Sequence, residues 1–173
     1  MGGNMILALD ASTTSTGYAI FDNGVLIDRG VIRPKGGDVK ERIKYVYWAI
    51  RVLFEKYEYQ HVFIEDVPLS HTVNRRVAEN LLLLQGTIYS ICIEHGCQFI
   101  QMEPTHWRKL AGIKSKRRDE QKAEAIQKAD ELYGFGYRYV DAKEDARTGD
   151  SDVCEAILIG IAGMKKLVEG AIV

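Results

Sequence analysis

No apolar stretch in this 173-residue chain approaches the ~20 residues needed to span a bilayer. No charged-then-apolar leader precedes a cleavage site, and the two absences together predict a soluble, cytoplasmic protein. Cysteine is scarce. Cys92, Cys97 and Cys154 form neither an even set nor a CxxC pair, which argues against a disulfide framework and a zinc site. Net charge is nearly absent as well: 23 Lys+Arg against 24 Asp+Glu leave −1, whereas polyanion binders usually carry a basic excess. Internal repeats and low-complexity tracts are missing too. What remains is an ordinary globular balance, 46% hydrophobic and 27% charged, at a length that suits one core. Residues 1–4 read as a flexible leader ahead of a single domain over 5–173.

The chain opens with Met5-Ile6-Leu7-Ala8-Leu9-Asp10, an apolar run without alternation that ends in a carboxylate. That pattern fits a strand buried on both faces. Strands over 17–21 and 25–32 follow, joined by Asp22-Asn23-Gly24, whose Asn-Gly pair suits a tight hairpin. Asp38 is a candidate N-cap for a helix to about Tyr57, with Val39, Ile43, Val46, Tyr47, Ile50, Leu53 and Phe54 on one face. His61 to Glu65 forms a second buried strand ending in an acid. A helix over 73–95 comes next, and its Leu81-Leu82-Leu83-Leu84 run is too apolar for a single stripe. It is either deeply buried or faces both the core and a partner subunit. A strand over 97–102, a short helix begun by Pro104 and Thr105, and a helix over 118–133 follow. The Gly-, Asp- and Arg-rich segment 134–149 reads as a mobile loop, and Asp150 or Ser151 as the cap of a last helix over 152–169. This order indicates an α/β fold, a mixed sheet with an antiparallel three-strand meander plus parallel strands, flanked by helices.

Asp10 and Glu65 each close a buried strand. On neighbouring strands, both carboxylates would emerge at one edge of the sheet and repel, a conflict that a hard divalent cation such as Mg²⁺ resolves. Asp152 and Glu155 are three apart and share a helix face. Asp150, just ahead, is a cap or an alternative ligand. Asp10 could instead simply terminate its strand, bonded by the Ser12-Thr13-Thr14 turn. Asp66 competes with Glu65, but strand alternation sends the two side chains to opposite sides. The four histidines, at 61, 71, 95 and 106, show no metal-ligand spacing.

Leu9-Asp10-Ala11-Ser12 through Thr16-Gly17-Tyr18-Ala19, Phe63-Ile64-Glu65-Asp66-Val67 and Asp152-Val153-Cys154-Glu155-Ala156 resemble the three acidic motifs of RuvC-like Holliday-junction resolvases. These enzymes belong to the RNase H-like (retroviral integrase) superfamily. The likeness is collinear over nearly the whole chain and includes Gln85-Gly86 and Met102-Glu103-Pro104. It implies an RNase H-like fold and two divalent metals, Mg²⁺ with Mn²⁺ able to substitute. Asp10, Glu65, Asp152 and Glu155 become the catalytic ligands. Glu155 stands where the family often has Asp, and the register of the third ligand, Asp150 or Asp152, stays open. The implied activity is metal-dependent cleavage of four-way or other branched DNA. The two related scissile strands of a four-way junction then predict a two-fold homodimer, through the helix around 73–95. The short chain leans toward a phage-type member. Any wedge after the second acid would be aliphatic, at Val67-Pro68-Leu69.

Residues 104–118 contain Arg108, Lys109, Lys114, Lys116, Arg117 and Arg118 without an acid, and the resemblance places DNA contacts in this part of the chain. Such a run is otherwise a solvated basic face. Asn74, Arg75 and Arg76 form a second candidate phosphate clamp, while Trp107 reads as a core anchor. Competing functions are an RNase H-like ribonuclease and a non-catalytic module for branched DNA. Residues 10–17 also resemble the phosphate turn of actin-like ATPases, but those proteins need two such domains. The four ligands would carry −4, leaving +3 on the rest of the chain, so the neutral total accommodates an acidic metal site beside a basic track.

Overall fold

The structure is a computed structural model that describes residues 4–67 and 74–170. Its first three strands, β1 (Met5–Asp10), β2 (Thr16–Asp22) and β3 (Val25–Ile32), form the expected antiparallel meander. Asn23 and Gly24 both take positive φ angles, 48° and 85°, which gives the hairpin the twist of its strands. Helix α1 (Val39–Lys56) is capped by Asp38, whose carboxylate accepts the Lys40 amide at 2.6 Å. It leads to β4 (His61–Glu65), which pairs with β1 in parallel. Helix α2 (Arg75–His95) starts at Asn74 and stops at Gly96 in the left-handed region (φ 66°). Strand β5 (Gln98–Met102) then extends the parallel part, giving the order β3-β2-β1-β4-β5. The remaining elements are α3 (Pro104–Ala111), α4 (Arg118–Tyr133), α5 (Ala142–Thr148) and α6 (Asp150–Val168).

Strand alternation divides the core into two layers. Leu7, Leu9, Ile20, Val62 and Ile64 face α1 and α2, while Ile6, Ala8, Ala19, Phe21 and Phe63 face α6 and its neighbours α3 and α4. Helix α6 lies unusually close to the sheet, because small residues meet it on the contact line. A Cβ built at Gly17 of β2 would stand 1.9 Å from the Asp152 carbonyl oxygen. One at Gly160 would stand 2.4 Å from the Phe21 ring, and one at Gly163 2.6 Å from Phe63. The first turn of α6 is thereby pressed onto the sheet.

Two expectations are corrected. Segment 134–149 is not simply a loop: it contains α5, capped by Asp141, whose carboxylate accepts the Lys143 and Glu144 amides. The last helix begins earlier than anticipated. Gly149, not Asp150 or Ser151, is the residue at its N-cap, and no side chain of the cap residue closes it. No helix among the described residues is long and apolar enough to cross a membrane. Residues 1–3, Val73, His71, and Pro68-Leu69 of the expected wedge lie outside the described residues, while Val67 is buried.

Candidate active site

The parallel register pairs Leu9 with Ile64, so Asp10 and Glu65 end adjacent strands side by side. Asp10 continues the phase of Ile6 and Ala8, and Glu65 that of Phe63. Both therefore face α6. Asp152 and Glu155 meet them from the first two turns of that helix. Asp10, Asp152 and Glu155 offer carboxylate oxygens that all lie within 4.8 Å of one another. Asp150, also in the first turn, is not part of this group.

Glu65 behaves differently from the other three acids. Its Oε2 accepts hydrogen bonds from Trp107 Nε1 at 2.6 Å and Arg108 Nη2 at 2.9 Å, which turns the carboxylate toward α3. Trp107 is fully buried, as a core anchor should be, and also serves as a donor to the site. Asp66 is structural: its Oδ1 accepts from the Val67 amide and from Gln101. Buried Gln85 of α2 donates to the Glu65 carbonyl oxygen at 2.7 Å, fixing the end of β4 from the other layer.

The acids are electrostatically crowded. Burial, followed by the charges of Glu155, Glu65 and Asp152, pushes the Asp10 carboxyl well above the ordinary carboxylate range. Glu155, only 1% exposed, is also raised by burial, although Arg118 pulls against the shift. Burial raises Asp152 too, against the hydrogen bond from Ser15 Oγ to its Oδ2 and the charge of Lys122. The Ser12-Thr14 turn does not bond Asp10. Its hydroxyls bond one another and the turn backbone, and among the described residues nothing hydrogen-bonds the Asp10 carboxylate. An all-carboxylate set under mutual repulsion matches a hard divalent cation, which prefers oxygen donors. The residues present therefore fit a metal ion.

Two members of the expected DNA-binding run pair with candidate ligands. Arg118 forks onto Glu155 with Nη1–Oε1 at 3.0 Å and Nη2–Oε2 at 3.3 Å. Arg108 reaches Glu65 and is 14% exposed, whereas the Arg118 side chain is 53% exposed and stays open to solvent while it pairs with Glu155. Lys109, Lys114, Lys116 and Arg117 are exposed; Arg117 pairs with Glu120 on the surface. At the start of α2, Asn74 caps the helix by accepting the Arg76 and Val77 amides. Arg75 pairs with Glu79, and Arg76 is exposed. Sequence reasoning gave no role in the site to Ser15, Gly17, Lys122 or Asp145, and read Ser151 only as a helix cap. Ser15 and Gly17 fall within the first acidic motif and so had a signal; Lys122 and Asp145 are legible only once the chain is folded.

With that geometry established, the family model for the crossover junction endodeoxyribonuclease RuvC matches residues 6–126. The RuvC protein of Nitratidesulfovibrio vulgaris is 29% identical over 104 residues. That alignment covers 58% of this chain, and the chain spans 61% of that relative's length. Among solved structures, Thermus thermophilus RuvC in complex with a Holliday junction substrate matches with a TM-score of 0.72 at 12% identity, over 96% of each chain. The yeast mitochondrial Holliday junction resolvase matches at 0.55 and 11% identity, over 91% of this chain and 77% of its own. These likenesses bear out the RNase H-like fold expected from the three motifs. A family model that covers most of the sequence, over a sheet and acid set arranged in this way, places the chain in the RuvC family of crossover junction endodeoxyribonucleases.

Proposed function

We propose that the protein is a structure-selective endonuclease that resolves four-way or other branched DNA junctions by metal-dependent phosphodiester hydrolysis. The observation that carries this reading is the convergence of Asp10, Asp152 and Glu155, from β1 and α6, in a chain of this family. These three acids, with Glu65 at the rim, would hold two Mg²⁺ ions, and Mn²⁺ would substitute. When bound, such ions lower the pKa of water and offset the charge that gathers on a departing oxygen.

The chain's own groups supply position and charge. Asp10 and Glu65 are fixed by strand register, and Asp152 and Glu155 by a helix pressed onto the sheet. Arg108 and Arg118 lie between the acids and the basic surface, where a scissile phosphate would draw their guanidiniums off the carboxylates. Lys109, Lys114, Lys116 and Arg117, together with Asn74, Arg75 and Arg76, would track the flanking backbone. The solved relative bound to a Holliday junction supports branched DNA as the substrate. The resemblance to the resolvases implies products with 5′-phosphate and 3′-hydroxyl ends. Action on DNA suits the cytoplasmic location expected from the sequence.

A four-way junction offers two related scissile strands, so a two-fold dimer would set one site on each. Helix α2 supports that assembly. Leu82 and Leu83 of its apolar run are 43% and 52% exposed, and Val77, Tyr89 and Ile93 are exposed with them. Sedimentation of the purified chain tests the dimer. The activity test compares cleavage of a four-way junction, a flap, a linear duplex and an RNA–DNA hybrid with Mg²⁺ or Mn²⁺. Asp10→Asn is expected to lower junction nicking by at least about a thousandfold, the equivalent of several kcal/mol. Junction binding in Ca²⁺ should stay largely intact. Full cleavage by that variant would overturn the assignment.

A further inference from the structure

Helix α5 has an odd construction. It is seven residues long, too short to persist alone, and its one buried side chain is the carboxylate of Asp145. A surface helix normally docks through apolar residues, so this one is held for another reason. The reason lies at the start of α6, whose N-cap residue Gly149 has no side chain to receive the free amides of the first turn. Asp145 reaches across and takes that role. Its Oδ1 accepts the Ser151 amide at 3.0 Å, and its Oδ2 accepts the Ser151 hydroxyl at 2.8 Å.

Lys122, one turn into α4, completes the cluster. Its ammonium donates to Asp145 Oδ2 at 2.6 Å and to Ser151 Oγ at 3.0 Å. Ser151 is fully buried, and the Asp145 and Lys122 side chains are 4% and 21% exposed. Three elements thus meet on the residue immediately before Asp152, while Ser15 holds the Asp152 carboxylate from the opposite side. Asp145 also helps line a recess of about 380 Å³ shared with Asp10, Ser15, Arg118 and Asp152. The cluster touches the acid site without offering it a ligand.

We infer that Asp145, Lys122 and Ser151 are positioning residues, a cap supplied from outside the helix that sets the first turn of α6 and aims Asp152 into the metal site. The inference rests on the proposed metal-dependent reading of Asp10, Asp152 and Glu155. Backbone position is what the cluster controls: with the Ser151 amide released, the first turn of α6 can fray and carry Asp152 away from Asp10.

The test is Mn²⁺ binding, followed by electron paramagnetic resonance and without DNA, so it is independent of any cleavage assay. Asp145→Ala and Lys122→Met are expected to weaken Mn²⁺ binding by about 10–100-fold, the usual cost of losing a group that supports a ligand. Asp145→Asn keeps an acceptor for the Ser151 amide and should recover part of the loss. Ile50→Ala, in α1 on the far side of the sheet, reports what destabilisation alone does; it should lower the melting temperature and leave Mn²⁺ affinity unchanged. If Asp145→Ala does not fold, Lys122→Met and Ser151→Ala are read in the same way. Affinities within about twofold of the parent chain in the cluster variants would overturn the inference, as would an equal loss in Ile50→Ala. Failure of the parent chain to cut any junction would count against the proposed function alone, whereas failure to bind Mn²⁺ would overturn both.

Discussion

Helices α6 and α2 cover opposite faces of one sheet, yet they are built on opposite plans. Eleven of the nineteen residues of α6 are buried, including Glu155, and glycines at 160 and 163 let it settle against Phe21 and Phe63. Only six of the twenty-one residues of α2 are buried, and its leucine run divides between core and solvent. A side chain anchored in α6 has little freedom, which suits an element that must hold two carboxylates beside a third. Helix α2 buries part of its apolar surface on this chain and leaves Val77, Leu82, Leu83, Tyr89 and Ile93 exposed. One helix is seated for precision, and the other keeps the open apolar face on which the proposed dimer would rest.

The contrast can be broken most forcefully at Gly163. A valine there would drive its Cβ into the Phe63 ring, and we expect a loss of about 3 kcal/mol in urea unfolding. A loss near zero would mean that α6 is not seated as tightly as its glycines imply. Next in size is Asp10→Asn without metal. The folded chain holds the Asp10 proton more tightly than the unfolded chain does. That contribution is fully present below the ordinary carboxylate range and is lost as pH rises through the raised folded value. At neutral pH the metal-free chain therefore folds against the repulsion of its own acids. Asp10→Asn should stabilise it there by about 1–2 kcal/mol in EDTA, with the gain fading as the pH is lowered. Equal stability at every pH would show that the acids do not strain the fold.

The α2 side should respond more gently. A Cβ at Gly86 meets nothing within 4 Å, so Gly86→Ala should raise stability by roughly 0.5–1 kcal/mol in dilute solution. The gain should shrink at concentrations where copies associate, if their helices approach closely at that point. Leu83→Lys is expected to leave the stability of one chain within about 0.5 kcal/mol while shifting sedimentation toward the monomer. A large loss of stability in the monomer would place Leu83 in the core and remove the distinction between the two helices.

Much of this architecture is legible in the amino-acid order because it depends on short-range rules. Asp38, Asn23-Gly24 and Gly96 mark boundaries through backbone chemistry, and the uninterrupted apolar runs before Asp10 and Glu65 announce strands covered on both faces. Helix α5 escapes such reading. Residues 142–148 carry no apolar stripe, and the helix is secured by Asp145 meeting Lys122 and Ser151, residues that only the fold brings together. The ion pairs of the basic run are hidden for a related reason. The sequence shows that Arg108 and Arg118 are cationic, but not that Glu65 and Glu155 lie close enough to pair with them. Glu65 illustrates both sides: its strand position is evident from sequence, and its bond to Trp107, 42 residues away, is not.

The seating of α6 also has a consequence in time. The meander and the Asp10 strand are made well before the helix that completes the acid set, which follows more than a hundred residues later. A nascent chain that has not yet reached α6 holds Asp10 and Glu65 at the edge of a sheet whose α6-facing side is still uncovered. It cannot assemble the three-acid cluster, which is complete only once α6 has been made. The same delay leaves one layer of the core exposed during synthesis, and early folding must lean on the α1 side of the sheet.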